Sequence, residues 1–177
     1  MSRYGRVDPL SAEHEVDAFD CGSDDQTAWL HRHALQAHRS DTSKVYVICP
    51  VGARNVVGYY ALTAGSVSHE AAPPRITKGL GRYPVPVIVL TRLGVDRTEQ
   101  GRGLGAALVR DALLQTASVA DRVGVRALLI HAETPEAAAF YQRIDPGFES
   151  SPTDQLHLIL MLKDLRLAIR DATPGQG

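Results

Sequence analysis

The chain has 177 residues, 44% hydrophobic and 22% charged, with a net charge of −1. That length suits one ordinary domain with a buried core, and the composition excludes disordered, fibrous and collagen-like chains. No apolar run approaches the roughly 20 residues that span a bilayer, and Met1–Arg6 lacks the apolar stretch of a signal peptide, so a cytoplasmic protein without membrane association is expected.

Ser23 or Asp24 can cap a helix running roughly from Asp25 to His38, with Ala28, Trp29, Leu30, Ala34 and Leu35 as its apolar stripe. Val45–Cys49, stopped by Pro50, and Val56–Ala64 read as strands, with Val51–Asn55 between them as a hairpin turn. Ser66–Pro84 holds Pro73, Pro74, Gly79 and Gly81 and reads as a long connection containing a short helix. Val87–Val95 is continuously apolar at its start, as in a central strand covered on both faces. Gly103 and Gly105 open a helix through about Ala120, whose stripe is Leu104, Leu108, Ala112 and Leu113. Val125–His131 is another buried strand. Thr134 as N-cap and Pro135 at the first helical position start a helix through about Arg143. Leu156–Leu162 is the last strong strand. With no repeat or linker, residues 1–177 are expected to form one α/β domain, a mixed central sheet flanked by helices, with a disordered tail over about 171–177.

Cys21 and Cys49 are accompanied by no CxxC or Cys/His ligand spacing, so no metal site is expected and both read as free thiols. His31, Arg32, His33, His38 and Arg39 form one basic cluster and Arg75, Lys78 and Arg82 another, while Arg92 and Arg97 flank a glycine-rich segment. Such clusters make either a basic face or ordinary solvated surface, and the sequence leaves both open.

The glycine-rich segment is Gln100-Gly101-Arg102-Gly103-Leu104-Gly105, placed between a strand and a helix. Glycines let backbone N–H groups approach a phosphate, the helix N-terminus adds unpaired donors and partial positive charge, and Arg102 can add a charge-assisted bond. A Walker loop is excluded because Gly105 is followed by Ala106-Ala107 rather than Lys-Ser/Thr. A dinucleotide fingerprint is excluded by the spacing Gly101-x-Gly103-x-Gly105.

After a strand ending Leu93-Gly94-Val95-Asp96, this segment resembles the R/Q-x-x-G-x-G/A motif of the GNAT acetyltransferase superfamily. The resemblance implies a GNAT fold with splayed strands holding acetyl-CoA. The backbone of Leu93, Gly94 and Val95 would meet the pantetheine arm, and Gln100, Gly101, Arg102, Gly103, Leu104 and Gly105 the pyrophosphate. Phe19-Asp20-Cys21-Gly22 with Trp29-Leu30, Gly58–Leu62, Gly65-Ser66-Val67, Pro86–Leu90 with Arg92-Leu93, and Ala138–Tyr141 are further similar to GNAT-type toxins of toxin–antitoxin pairs, over roughly residues 8–162. That likeness implies acetylation of the α-amine of aminoacyl-tRNA, which blocks translation. It also implies a homodimer and a ribbon-helix-helix antitoxin whose C-terminal segment wraps the toxin. One departure is the run Phe140–Phe148, two residues longer before its Gly-Phe than that group's pattern. Pro146 disfavours helix at Asp145, so the helix should end near Arg143 and the loop after it should differ in shape.

Acyl transfer from a thioester to an amine needs a neutral amine, a polarised carbonyl and a proton for the departing thiolate. An α-amine with a pKa near 8 is partly neutral at pH 7, and backbone N–H groups around Leu93–Val95 can polarise the carbonyl. By position alone Tyr141 reads first as a packed core tyrosine; it stands where GNAT enzymes carry a tyrosine near the sulfur, and the resemblance makes it the general acid. His131 and Glu133 could hold a water or act as a base, and no histidine is placed to activate Cys21. Arg32, Arg39, Arg75, Lys78, Arg82 and Arg92 are the candidate tRNA phosphate contacts, with Arg92 beside the cofactor strand. Two alternatives remain open: a GNAT enzyme acting on a small amine or a protein N-terminus, and a non-catalytic acetyl-CoA-binding regulator.

Overall fold

A computed structural model describes residues 2–172, so most of the expected tail, 173–177, lies outside the described residues. In chain order the elements are β1 (Asp8–Pro9), α1 (Asp24–Arg32), α2 (Ala34–Arg39), β2 (Lys44–Ile48), β3 (Gly58–Val67), α3 (Pro74–Thr77), β4 (Val85–Val95), a 3-10 turn (Arg97–Glu99), α4 (Leu104–Ala120), β5 (Ala127–His131), α5 (Pro135–Ile144), β6 (Glu149–Ser150), β7 (His157–Met161) and α6 (Leu162–Asp171). The strands follow the sheet order β1-β2-β3-β4-β5-β7-β6. β1–β2, β2–β3, β5–β7 and β6–β7 pair antiparallel, whereas β4 and β5 pair parallel. This is the mixed sheet with flanking helices that the element pattern predicts.

Packing divides the chain into two compact units. The first takes the residues up to Thr63 together with Thr91–Ala112. Its core gathers Leu10, Phe19, Leu30, Ala34, Val45, Val47, Val56, Tyr59 and Ala61. Ser23 caps α1 by accepting from the Gln26 N–H, as the capping signal requires. The expected single helix to His38 is instead two, because His33, at φ −125°, leaves helical geometry. The break lets α2 lie along β2, where His38 Nδ1 accepts from the Val45 N–H at 3.0 Å. Fully buried Tyr59 meets Phe19 edge-on at 5.5 Å and stacks with Trp29 at 6.1 Å, while its hydroxyl donates to the Gln26 carbonyl at 2.6 Å.

The second unit takes Ala64–Leu90 and the residues from Leu113 onward. Val67, Ala72, Ile76, Val85, Val87, Val89, Ala127, Leu129 and Ile159 form its core. Val85, Val87 and Val89 enter this core, and Ile88 and Leu90 are buried as well, so from Val87 to Leu90 the strand is covered on both faces, as its continuously apolar start predicts. β4 pairs with β5 from Val87 to Leu90 against Ala127 to Ile130, and Thr91–Val95 carries β4 beyond the last of these pairs. Thr134 caps α5 by accepting from the Ala137 N–H at 3.1 Å, with Pro135 following it. That helix ends at Ile144, one residue past the expected end. No helix among the described residues is long and apolar enough to cross a membrane.

Candidate active site

The glycine-rich segment lies in the first unit, between the end of β4 and the start of α4. Gly101 and Gly103 have φ of +79° and +82°, a backbone conformation that side chains strain. A Cβ at either residue would meet nothing within 4 Å, so both open onto free space. Gly103 precedes α4 and has no side chain to cap it, which leaves the first-turn N–H groups available to a ligand. Leu104 and Leu108 are buried, anchoring this helix start from below. A positive-φ glycine pair opening onto a helix N-terminus fits a phosphate group.

Gly94 serves a different need. A Cβ there would stand 3.2 Å from Cys21 Sγ and 3.3 Å from Phe19, so a side chain would press on the 19–21 loop that lies against β4. Gln100 then ties that loop down, its side-chain amide donating to the carbonyls of Cys21 at 3.0 Å and Val95 at 2.9 Å. The side chain of Gln100 is thus structural, and the segment offers a ligand its backbone and Arg102.

Two acids that the sequence reading did not single out brace the segment. Asp96 accepts from the N–H of Asp20 and from the N–H and hydroxyl of Thr98. Burial would push its carboxyl up, but these hydrogen bonds outweigh burial and hold it below the usual carboxylate range. Glu99, 7% exposed, accepts from the Tyr4 hydroxyl and lies 3.3 Å from Arg3 and 3.8 Å from Arg102. The Tyr4 bond, with help from Arg3 and Arg102, likewise holds its carboxyl low. The N-terminal residues therefore strap the turn that carries Arg102. The Asp96-x-Thr98 spacing is an Asx-turn signal that could have flagged the first acid; the Tyr4 contact is a tertiary one without a local signal.

A carboxyl whose pKa is lower folded than unfolded stabilises the fold above its unfolded pKa of about 4. That stability is lost as pH falls through the folded value. Asp96→Asn should therefore cost about 1–2 kcal/mol at pH 7, lower Tm by roughly 2–8 °C, and flatten the acid limb of a Tm-against-pH curve. A variant whose curve overlays the wild type would refute this bracing role.

The candidate tRNA cations fall in both units. Arg32 and Arg39 line a recess of about 550 Å³ along α1 and α2 in the first unit. Arg75 and Lys78 line a groove of about 540 Å³ in the second. Arg82 is exposed on the loop before β4. Arg92 is turned inward, 5.0 Å above the Trp29 ring and 2.7 Å from Asp25, so its charge is already answered within the chain.

In the second unit Tyr141, 7% exposed, lies against Phe140 at 5.2 Å and Phe148 at 6.4 Å. Burial pushes its phenol pKa well up. Among the described residues its hydroxyl makes no hydrogen bond. The longer Ile144–Phe148 loop turns on Asp145, whose carboxylate accepts from the Gly147 N–H at 2.7 Å, and returns buried Phe148 to Tyr141. His131 stacks on His157 at 4.1 Å, and burial followed by that neighbour lowers its pKa. Glu133 is exposed.

The Acetyltransferase (GNAT) family matches residues 10–145. A tRNA-acetylating toxin of Mycobacterium tuberculosis is 46% identical over 171 residues, covering 97% of this chain and 100% of that protein. Among solved structures, AtaT complexed with acetyl-methionyl-tRNAfMet superposes with a TM-score of 0.84 at 28% identity, covering 92% of this chain and 97% of that one. A mutant AtaT toxin bound to the C-terminus of the antitoxin AtaR and to acetyl-CoA superposes with a TM-score of 0.80 at 25% identity, covering 94% and 98%.

Proposed function

The chain belongs to the GNAT acetyltransferase family, and from that premise we propose that it is a toxin that acetylates the α-amine of aminoacyl-tRNA and so blocks translation. The observation that carries this reading is the near end-to-end likeness to a tRNA-acetylating toxin, at 46% identity with both chains covered almost whole. The open Gly101–Gly103 cradle and the tRNA- and acetyl-CoA-bound relatives support it.

Acetyl-CoA supplies the acetyl group as a thioester, activated towards an amine. Gly101, Gly103 and the first turn of α4 hold its pyrophosphate through backbone N–H groups, and Arg102, steadied by Glu99, adds positive charge. The backbone of Leu93, Gly94 and Val95 meets the pantetheine arm and polarises the carbonyl. The acceptor α-amine, with a pKa near 8, needs no strong base. Tyr141 holds at its Oη the proton that goes to the departing sulfur.

The protein works in the cytoplasm as a homodimer, held in check by an antitoxin of ribbon-helix-helix type. Incubation with labelled acetyl-CoA should label charged tRNA and leave uncharged tRNA unlabelled. Equal labelling of both, or labelling of free amino acids alone, would overturn the aminoacyl-tRNA assignment.

A further inference from the structure

Six of the 19 lysines and arginines line the groove of about 540 Å³ in the second unit: Arg75, Lys78, Arg126, Lys163, Arg166 and Arg170. Among the described residues no carboxylate lines it, in a chain whose net charge is only −1. The cations come from three segments that the fold gathers: the α3 region, the residue before β5, and α6. Lys163, Arg166 and Arg170 follow an i, i+3, i+7 spacing, which puts them on one face of α6 over about 10 Å. Buried Leu165 holds the helix in place.

Some of this charge is neutralised at the rim. Arg75 pairs with Asp164 at 2.7 Å and Glu149 at 3.3 Å, and Arg166 with Asp121 at 3.2 Å. Among the described residues Lys78, Lys163 and Arg170 make no ion pair, and all three are exposed. Such spread, water-facing cations suit a polyanion along the groove better than one small anion, which needs converging, enclosed donors. The rest of the lining is apolar but not aromatic, so unstacked bases would find no ring to stack on. A paired RNA helix presents mainly phosphates and 2′-hydroxyls, and that is the chemistry a row of guanidinium and ammonium groups recognises.

We propose that this groove docks the phosphate backbone of a double-stranded RNA arm, holding the body of the tRNA while its charged end reacts elsewhere on the protein. The proposal rests on the aminoacyl-tRNA reading for the identity of the RNA. Arg126 precedes β5, whereas His131 and the helix bearing Tyr141 follow from that strand's other end, about 13 Å away. The groove therefore acts on binding and not on the chemical step.

The test is a Lys163→Gln/Arg170→Gln double variant of the full chain, with acetyl-CoA affinity and Tm as folding controls. Binding of uncharged tRNA, of an RNA hairpin and of a single-stranded RNA of equal length is measured across a salt series. Tight binding of tRNA and hairpin is expected for the wild type, and about 10-fold weaker binding for the variant, with the log–log salt slope reduced by roughly 2. With charged tRNA, KM should rise while the rate at saturation is kept. Unchanged hairpin affinity and slope in the variant would overturn the proposal. So would a preference for the single strand, or loss in the variant of binding to a polyglutamate peptide with RNA binding intact, which would assign the groove to an acidic protein partner. A wild type that binds the hairpin through this groove yet acetylates no charged tRNA would strike the functional reading and leave the groove standing.

Discussion

Tyr141→Phe is expected to lower kcat for acetyl transfer by about 10²–10⁴-fold, with acetyl-CoA affinity and Tm close to wild type. The phenol is buried against Phe140 and Phe148, and the phenylalanine ring preserves that packing. Its hydroxyl makes no hydrogen bond among the described residues, so its removal leaves no protein partner unpaired and costs little stability. What is lost is the proton held for the departing sulfur. Because burial raises the phenol pKa, Tyr141 stays protonated through pH 7–9. The wild-type rate should therefore rise with pH as the acceptor amine, of pKa near 8, loses its proton. No falling limb from Tyr141 is expected in that range. A merely packing tyrosine would leave kcat within a few-fold of wild type, with Tm again close to wild type.

Gly103→Glu should weaken acetyl-CoA binding by about 100-fold or more. At φ +82° any side chain costs roughly 1–3 kcal/mol of backbone strain. The space is open, so a glutamate has room, and its carboxylate can itself take the free N–H groups at the start of α4. It would then compete with the pyrophosphate for the same donors and repel it. Each charge-assisted bond lost is worth about 1.5–3 kcal/mol, so two suffice for the expected loss. Gly103→Ala separates the causes, because it keeps the strain without the charge and should lose far less. Calorimetry giving wild-type affinity for the glutamate variant would refute the cradle.

Local signals fared well where local chemistry decides the structure. Ser23 and Thr134 cap α1 and α5 as their side chains suggest, and the continuous apolar start of β4 is buried on both faces from Val87 to Leu90. The glycine segment sits at the start of α4 with the backbone geometry its composition requires. The missed elements depend on distant partners or on blurred boundaries. β1 is only Asp8–Pro9, contains a proline, and exists because Tyr46 and Val47 lie beside it. α6 begins at Leu162 directly after β7 with no side-chain cap at Met161, so the apolar run of the strand merges into the helical stripe. Sequence could name basic residues but not their faces. Arg92 is folded onto Trp29 and Asp25, and Arg126, Lys163, Arg166 and Arg170 reach one groove only through the fold. Tyr4 and Glu99, 95 residues apart, brace the cradle by a contact that no spacing rule anticipates.

The most direct measurement uses one charged tRNA in two forms, with the α-amine of its amino acid either free or already formylated, each incubated with labelled acetyl-CoA. Acetylation of the α-amine predicts label on the free-amine form, recovered as an N-acetylated amino acid on the terminal nucleoside, and none on the formylated form. Equal labelling of both would place the acetyl group elsewhere on the RNA and contradict it.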